Sequence, residues 1–189
     1  MLLQMFSEHL KEEAQVYCLS DQPGPTNIRI PLRCNLPGWW SKMEIFAPWN
    51  RLVRPCLYFD LDTFILDDFD DMMRESARFM MLRDFNHPDD GQSSIMMIPE
   101  ETHRIWEEFS ASPDRWMRIY SGGGDQAFLN KFKQGFIQDH FKGIKSYKKH
   151  CRVAPVGRIV CFHGPPKPPN IDGWAKDVWD YYTEEQQIR

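Results

Sequence analysis

The run Leu57-Tyr58-Phe59-Asp60-Leu61-Asp62-Thr63-Phe64-Ile65-Leu66 sets two carboxylates inside an aromatic and apolar segment. A segment of this composition reads as a buried strand of a parallel sheet. An unpaired buried carboxylate is costly, so the pair needs a physical reason. The least costly arrangement ends the strand at the acids and lets both share a divalent cation. Residues two apart on a strand share a face, so Asp60 and Asp62 can reach one hard ion. Mn²⁺ or Mg²⁺ suits oxygen ligands of this kind. A solvated turn with Asp62 as its cap is the plainer account of the same residues.

Helical and strand patterns alternate around this segment. Residues 2–13 predict a helix with Leu2, Phe6 and Leu10 on one face. Gln15 to Leu19 reads as a short strand. Residues 22–37 hold four Pro and one Gly and predict mostly loop. Gly38 to Phe46 predicts a helix with Trp39, Met43 and Phe46 aligned, closed by Pro48. Strands are expected at Leu57 to Asp60, Arg78 to Leu82, Ser93 to Ile98 and Arg158 to Phe162. Helices are expected at Glu100 to Phe109, Asp125 to Phe136 and Trp174 to Tyr182. This alternation indicates an α/β sheet with ligands at the carboxyl ends of its strands.

At 189 residues, with 42% apolar and 26% charged, the chain fits one soluble globular domain. A net charge of −4 gives no broad basic footprint, which argues against nucleic acid as a partner. An anionic small ligand would need local positive charge or a metal. The five Cys form no CxxC pair. Cys18, Cys56 and Cys161 lie in apolar runs and read as small core hydrophobes, which suits a reducing compartment. No apolar run reaches transmembrane length, and the N-terminus lacks a signal-peptide pattern, so a cytoplasmic location is expected.

Two further constellations carry possible chemistry. Arg158 to Phe162 leads into His163-Gly164-Pro165-Pro166-Lys167-Pro168, a strand running into a stiff loop. Gly164 allows a phosphate close to the backbone, and the prolines hold the Lys167 charge in place. Gly122-Gly123-Gly124-Asp125-Gln126 opens a helix. Glycines there suit close approach to a ligand, while Asp125 alone reads as an ordinary N-cap.

Asp60-Leu61-Asp62 after Leu-Tyr-Phe, Gly124-Asp125-Gln126, and Phe162-His163-Gly164-Pro165-Pro166-Lys167-Pro168 occur in that order. Together they resemble the GT-A fold nucleotide-sugar glycosyltransferases, in particular the retaining enzymes related to glycogenin and the bacterial galactosyltransferases of family eight. The resemblance runs from about Gln15 to Trp174. It implies a Rossmann-like, mixed and mainly parallel sheet flanked by helices in a single domain over 1–189. The strand that holds the nucleobase in this family would lie ahead of Leu2, so the chain reads as N-terminally shortened and weak nucleotide binding is expected.

The resemblance further implies a metal-dependent transfer of sugar from a nucleoside-diphosphate sugar, a UDP-sugar, to a carbohydrate, lipid or protein acceptor. Asp60, Asp62 and His163 would hold Mn²⁺ or Mg²⁺. Lys42, Leu61, Ser94, Gly164 and Lys167 would contact the donor, although Gln92-Ser93-Ser94 stands where relatives have Asn-Ser-Gly. Asp125 and Gln126 would lie at the reaction centre and stabilise the positive charge that grows on the sugar. Metal and Lys167 would balance the negative charge that grows on the leaving diphosphate.

Two alternatives stand beside this one. Haloacid-dehalogenase-type phosphatases also use two Asp one residue apart after an apolar strand. They continue with Gly-Thr or x-Val, where this chain has Thr63-Phe64. A non-catalytic domain that binds a sugar nucleotide or a partner is the other. A calcium loop over residues 60–71 fails, because Phe64 and Ile65 stand where a ligand and Gly are required.

Overall fold

Short, near-continuous apolar runs become most of the strands here, and segments with a wider-spaced apolar stripe become helices. A computed structural model describes residues 1–22, 28–74 and 77–184. In chain order the first elements are α1 (Leu2–His9), β1 (Tyr17–Ser20), β2 (Ile28–Pro31), a 3₁₀ helix (Gly38–Phe46), β3 (Cys56–Phe59), β4 (Thr63–Ile65) and α2 (Asp70–Met73). Then come β5 (Met80–Arg83), β6 (Gly91–Ile98), α3 (His103–Ser110), α4 (Pro113–Ile119), α5 (Gly124–Leu129), β7 (Gly135–Phe136) and α6 (Ile137–His140). The chain continues with β8 (Ile144–Ser146), a π-helical turn (Tyr147–Cys151), β9 (Ile159–Cys161), a 3₁₀ turn (Pro168–Asn170) and α7 (Trp174–Glu184). The protein is α/β, with mixed sheets flanked by helices.

The strands form three sheets, in the orders β1-β2, β3-β6-β5-β7 and β4-β9-β8. Pairing is parallel in β1-β2, β5-β7 and β8-β9, and antiparallel in β5-β6 and β4-β9. The chain divides into two compact units. One comprises Met1–Glu13, Phe59–Arg74 and Gln138–Arg189, and contains the three-stranded sheet. The other comprises Ala14–Tyr58 and Glu75–Ile137, and contains the four-stranded sheet and the β1-β2 pair.

The core of the four-stranded unit is aromatic. Phe128 is fully buried and lies 5.6 Å from Phe109, 5.5 Å from Trp116 and 5.5 Å from Phe132, ring centre to ring centre. Trp40 stacks on Phe109 at 5.6 Å. In the three-stranded unit Phe64 packs edge-on to Phe162 at 4.7 Å, and Tyr147 stacks on Phe162 at 4.8 Å. The indole of Trp174 donates to the Cys151 carbonyl over 2.6 Å, closing that core. The acidic stretch after β4 is tied down. Arg158 forks onto Asp71 at 2.6 and 2.9 Å, while the Lys11 amide donates to Asp70 at 2.9 Å.

Several expectations need correction. The Gly38–Phe46 helix is 3₁₀, with three residues per turn, so Trp40, Met43 and Phe46 align and are buried. Trp39, expected on that buried face, is 59% exposed. Part of the expected loop at 22–37 is strand β2, while residues 23–27 of it lie outside the described residues. The run at Leu57 is half-buried rather than buried, because β3 lies at the edge of its sheet. The helix expected over Asp125 to Phe136 stops at Leu129. There the Asn130 side chain accepts from the Gly91 amide at 2.7 Å and donates to its carbonyl at 3.1 Å, and Phe136 pairs in β7 instead. The first helix ends at His9, where Leu10 turns extended. Helix α4, strand β8 and the π-helical turn were not expected from the sequence.

All five Cys are free thiols, with Cys151 and Cys161 buried and Cys34 exposed. Among the described residues no helix is long and apolar enough to cross a membrane. Phe128→Ala removes the ring at the centre of the aromatic cluster and is expected to cost about 3–5 kcal/mol of stability, read from urea unfolding. Burial pushes the Cys56 thiol up to about 11 from 9.0, against a smaller downward pull from Arg54. The unfolded chain therefore releases this proton first, and the contribution of Cys56 to stability is lost as pH rises from 9.0 toward about 11. Cys56→Ala is expected to flatten that part of the pH–stability curve.

Candidate functional site

Strand β3 ends at Phe59, and the acids stand in the turn that follows. The Thr63 amide donates to the Asp60 carbonyl at 3.2 Å, so Asp60, Leu61 and Asp62 form a tight turn into β4. Asp60 and Asp62 are half-buried and Leu61 is 76% exposed at the tip. Strand β4 pairs antiparallel with β9 in the register Thr63↔Cys161. Continuing that register past the strand ends brings Asp62 beside Phe162. This is why the acids meet the C-terminal loop, although a hundred-odd residues separate them: Lys167 Nζ bonds Asp62 Oδ2 and donates to the Phe162 carbonyl at 2.8 Å.

The rest of that loop is held from below. His163 Nε2 and the Ser146 hydroxyl are 2.7 Å apart, and Ser146 is fully buried. Gly164 has φ +61°, a left-handed conformation that glycine accepts without strain. A Cβ added there would stand 3.2 Å from Lys148 Nζ. Lys148 therefore flanks the same glycine and adds a cation that the sequence reading missed. Its signal was faint, because Lys148 reads as an ordinary exposed lysine until the turn after β8 brings it beside Gly164.

Two carboxylates and an imidazole are chemically suited to Mn²⁺. Among the described residues no three His, Cys, Asp or Glu side chains stand together as a metal-holding group. Lys167 engages Asp62, and Ser146 engages His163. As folded, this end of the three-stranded unit brings a carboxylate and an ammonium together.

The four-stranded unit carries the other expected residues. Asp125 is 4% exposed. The Ser93 hydroxyl donates to its Oδ2 at 2.7 Å, and Lys42 Nζ lies 3.6 Å from the same oxygen. Lys42 also donates to the Ser93 hydroxyl at 3.0 Å and to the Ser93 carbonyl at 3.2 Å, and sits 5.1 Å from the centre of the Tyr58 ring. A buried carboxylate is thus met by an ammonium and a hydroxyl. Gln126, next on α5, is half-buried.

Ser93 rather than Ser94 joins this network. The reason is a register break: β5 and β6 pair Met81↔Met96 and then Leu82↔Gln92, leaving Ser93, Ser94 and Ile95 without a β5 counterpart. Such bulges re-aim side chains next to functional sites. Ser94 Oγ and Gln92 Oε1 are buried and have no hydrogen-bond partner among the described residues. No simple alternation along β6 distinguishes the two serines.

Gly124 fixes how α5 begins. Its φ is +62°, and a Cβ there would come 2.3 Å from the Trp39 indole nitrogen. Trp39 is exposed because it lies over this glycine rather than in the core. No protein-family model and no curated protein matches the sequence.

Gly124→Ala combines backbone strain with a clash and is expected to destabilise by about 1–3 kcal/mol. Adding Trp39→Ala is expected to recover the clash part and leave the strain. A double-mutant cycle in urea with no coupling between the two positions would contradict the contact.

Proposed function

We propose that this protein transfers a sugar from a nucleoside-diphosphate sugar, a UDP-sugar in this reading, to an acceptor hydroxyl. The observation that supports it is the meeting of Asp62 with Lys167 at one end of the β4-β9 pair. Two motifs far apart in sequence, both of the kind that surrounds a diphosphate, come together there. In the transfer, the bond between the anomeric carbon and the phosphate oxygen breaks, and its electron pair leaves with the diphosphate. A bond from the anomeric carbon to the acceptor oxygen forms, and the acceptor's proton passes to the released phosphate or to water.

Lys167 and Lys148 supply positive charge for the leaving diphosphate, and Gly164 lets a phosphate oxygen approach the main chain. Asp125 and Gln126 belong to the four-stranded unit, and the charge balance at the leaving group does not rest on them. A cation held by Asp60, Asp62 and His163 would share Asp62 with Lys167, and the Ser146–His163 hydrogen bond is of the kind that orients a ligating imidazole. The charge balance proposed for the leaving group rests on the two lysines, and a bound cation would add to it.

Incubation with UDP-glucose or UDP-galactose is expected to release UDP. Lys167→Ala is expected to lower the rate by about 10²–10³-fold with an unchanged far-UV circular dichroism spectrum. Asp62→Ala is expected to lower it as well, and parallel assays with Mn²⁺ and with EDTA separate cation from lysine contributions. No UDP release with any common donor, or full turnover in both variants, overturns the reading. A beryllofluoride adduct on Asp60 would point instead to an aspartyl-phosphate enzyme.

A further inference from the structure

A second cationic feature lies within the four-stranded unit, apart from the Asp125 network. Arg29, Arg33, Arg51 and Trp49 line one pocket of about 150 Å³. The sequence explains part of this convergence. Arg29 lies on β2, and Arg33 follows at a spacing of four, so an extended chain points both to one face while the buried Ile30 points to the other. All three arginines are exposed, and among the described residues none of the three guanidinium groups has an ion-pair or hydrogen-bond partner. Like charges gathered without a counterion repel, in a chain whose net charge is −4.

The frame behind this pocket is built from buried polar groups. Glu44 is 1% exposed, and its carboxylate accepts from the Arg33 amide at 2.7 Å and the Cys34 amide at 2.9 Å. That carboxylate is committed to the main chain. Asn50 is 7% exposed; its side-chain nitrogen donates to the Glu44 carbonyl at 3.0 Å, and its oxygen accepts from the Leu52 amide at 3.2 Å. The segments that carry Arg33 and Arg51 are thereby pinned to the same 3₁₀ helix. Trp49, edge-on to Trp106 at 4.9 Å, supplies a fixed apolar wall.

We propose that this pocket binds the phosphoryl group of a small phosphomonoester. Three guanidinium forks match the several oxygens and double charge of such a group, where a carboxylate would occupy one fork. The volume is enough for one phosphoryl group with a short carbon portion against Trp49. The site takes a different ligand from the donor end at Lys167 and does not depend on it.

Calorimetric titration of the full chain with phenyl phosphate, methyl phosphate, inorganic phosphate and benzoate tests this. Saturable one-to-one binding of phenyl phosphate is expected, with benzoate much weaker. The double variant R33Q/R51Q is expected to lose about tenfold or more in affinity while its circular dichroism is unchanged, and Lys167→Ala is expected to keep it. Trp49→Leu is expected to remove the preference for phenyl over methyl phosphate. Inorganic phosphate binding as tightly as the esters would keep the site and assign it to phosphate itself. No saturable binding, equal binding by R33Q/R51Q, or binding of a single-stranded oligonucleotide but of no phosphomonoester overturns the proposal.

Discussion

A carboxylate cut off from water must be compensated where it stands, and Asp125 sets that requirement for the four-stranded unit. Its Oδ2 is shared between the Ser93 hydroxyl and the Lys42 ammonium. Meeting this need ties together three elements that are distant in sequence: the 3₁₀ helix, the irregular start of β6 and the beginning of α5. Asn130 repeats the logic at the other end of α5, where its amide imitates a strand edge for Gly91. A Cβ at Gly91 would come within 3.0 Å of both Asn130 and Met81, so glycine is the residue that lets helix and strand meet. Polar groups locate these elements, and the aromatic cluster around Phe128 supplies the bulk of the burial.

Much of this organisation was legible in the sequence. The strands at 17–20, 80–83, 91–98 and 159–161 and the helices at 103–110 and 174–184 follow from apolar patterning to within a few residues. The Asp60–Asp62 step was read correctly as the end of a strand. What patterning could not supply is the local choice among periods. Trp39 and Trp40 are adjacent and chemically identical, and only the tighter 3₁₀ winding decides which is buried. Ser93 and Ser94 pose the same problem, decided by a bulge that depends on the partner strand. Pairings of this kind are set by tertiary contact and leave no mark in a single sequence.

The cationic groups illustrate a related limit. Lys167 was legible because prolines surround it. Lys148, Arg29, Arg33 and Arg51 were not, because exposed basic residues are the common background of any soluble protein. Their meaning comes from company: Lys148 beside Gly164, and three arginines around Trp49 over a frame held by Glu44 and Asn50.

The division of the chain into two interleaved units has a consequence for its synthesis. All residues of the four-stranded unit have been made once Ile137 is in place. The other unit joins α1 and β4 to β9, whose last residue is Cys161, so its sheet cannot close until Cys161 has been made. Helix α1, with the fully buried Met5, is made well before β9 and α7 and must wait for them. Pairings between such distant segments are slow to form and leave apolar surface open meanwhile. A nascent chain of this design has the most to gain from a chaperone that covers its first helix, and neither unit can be excised as one continuous stretch of sequence.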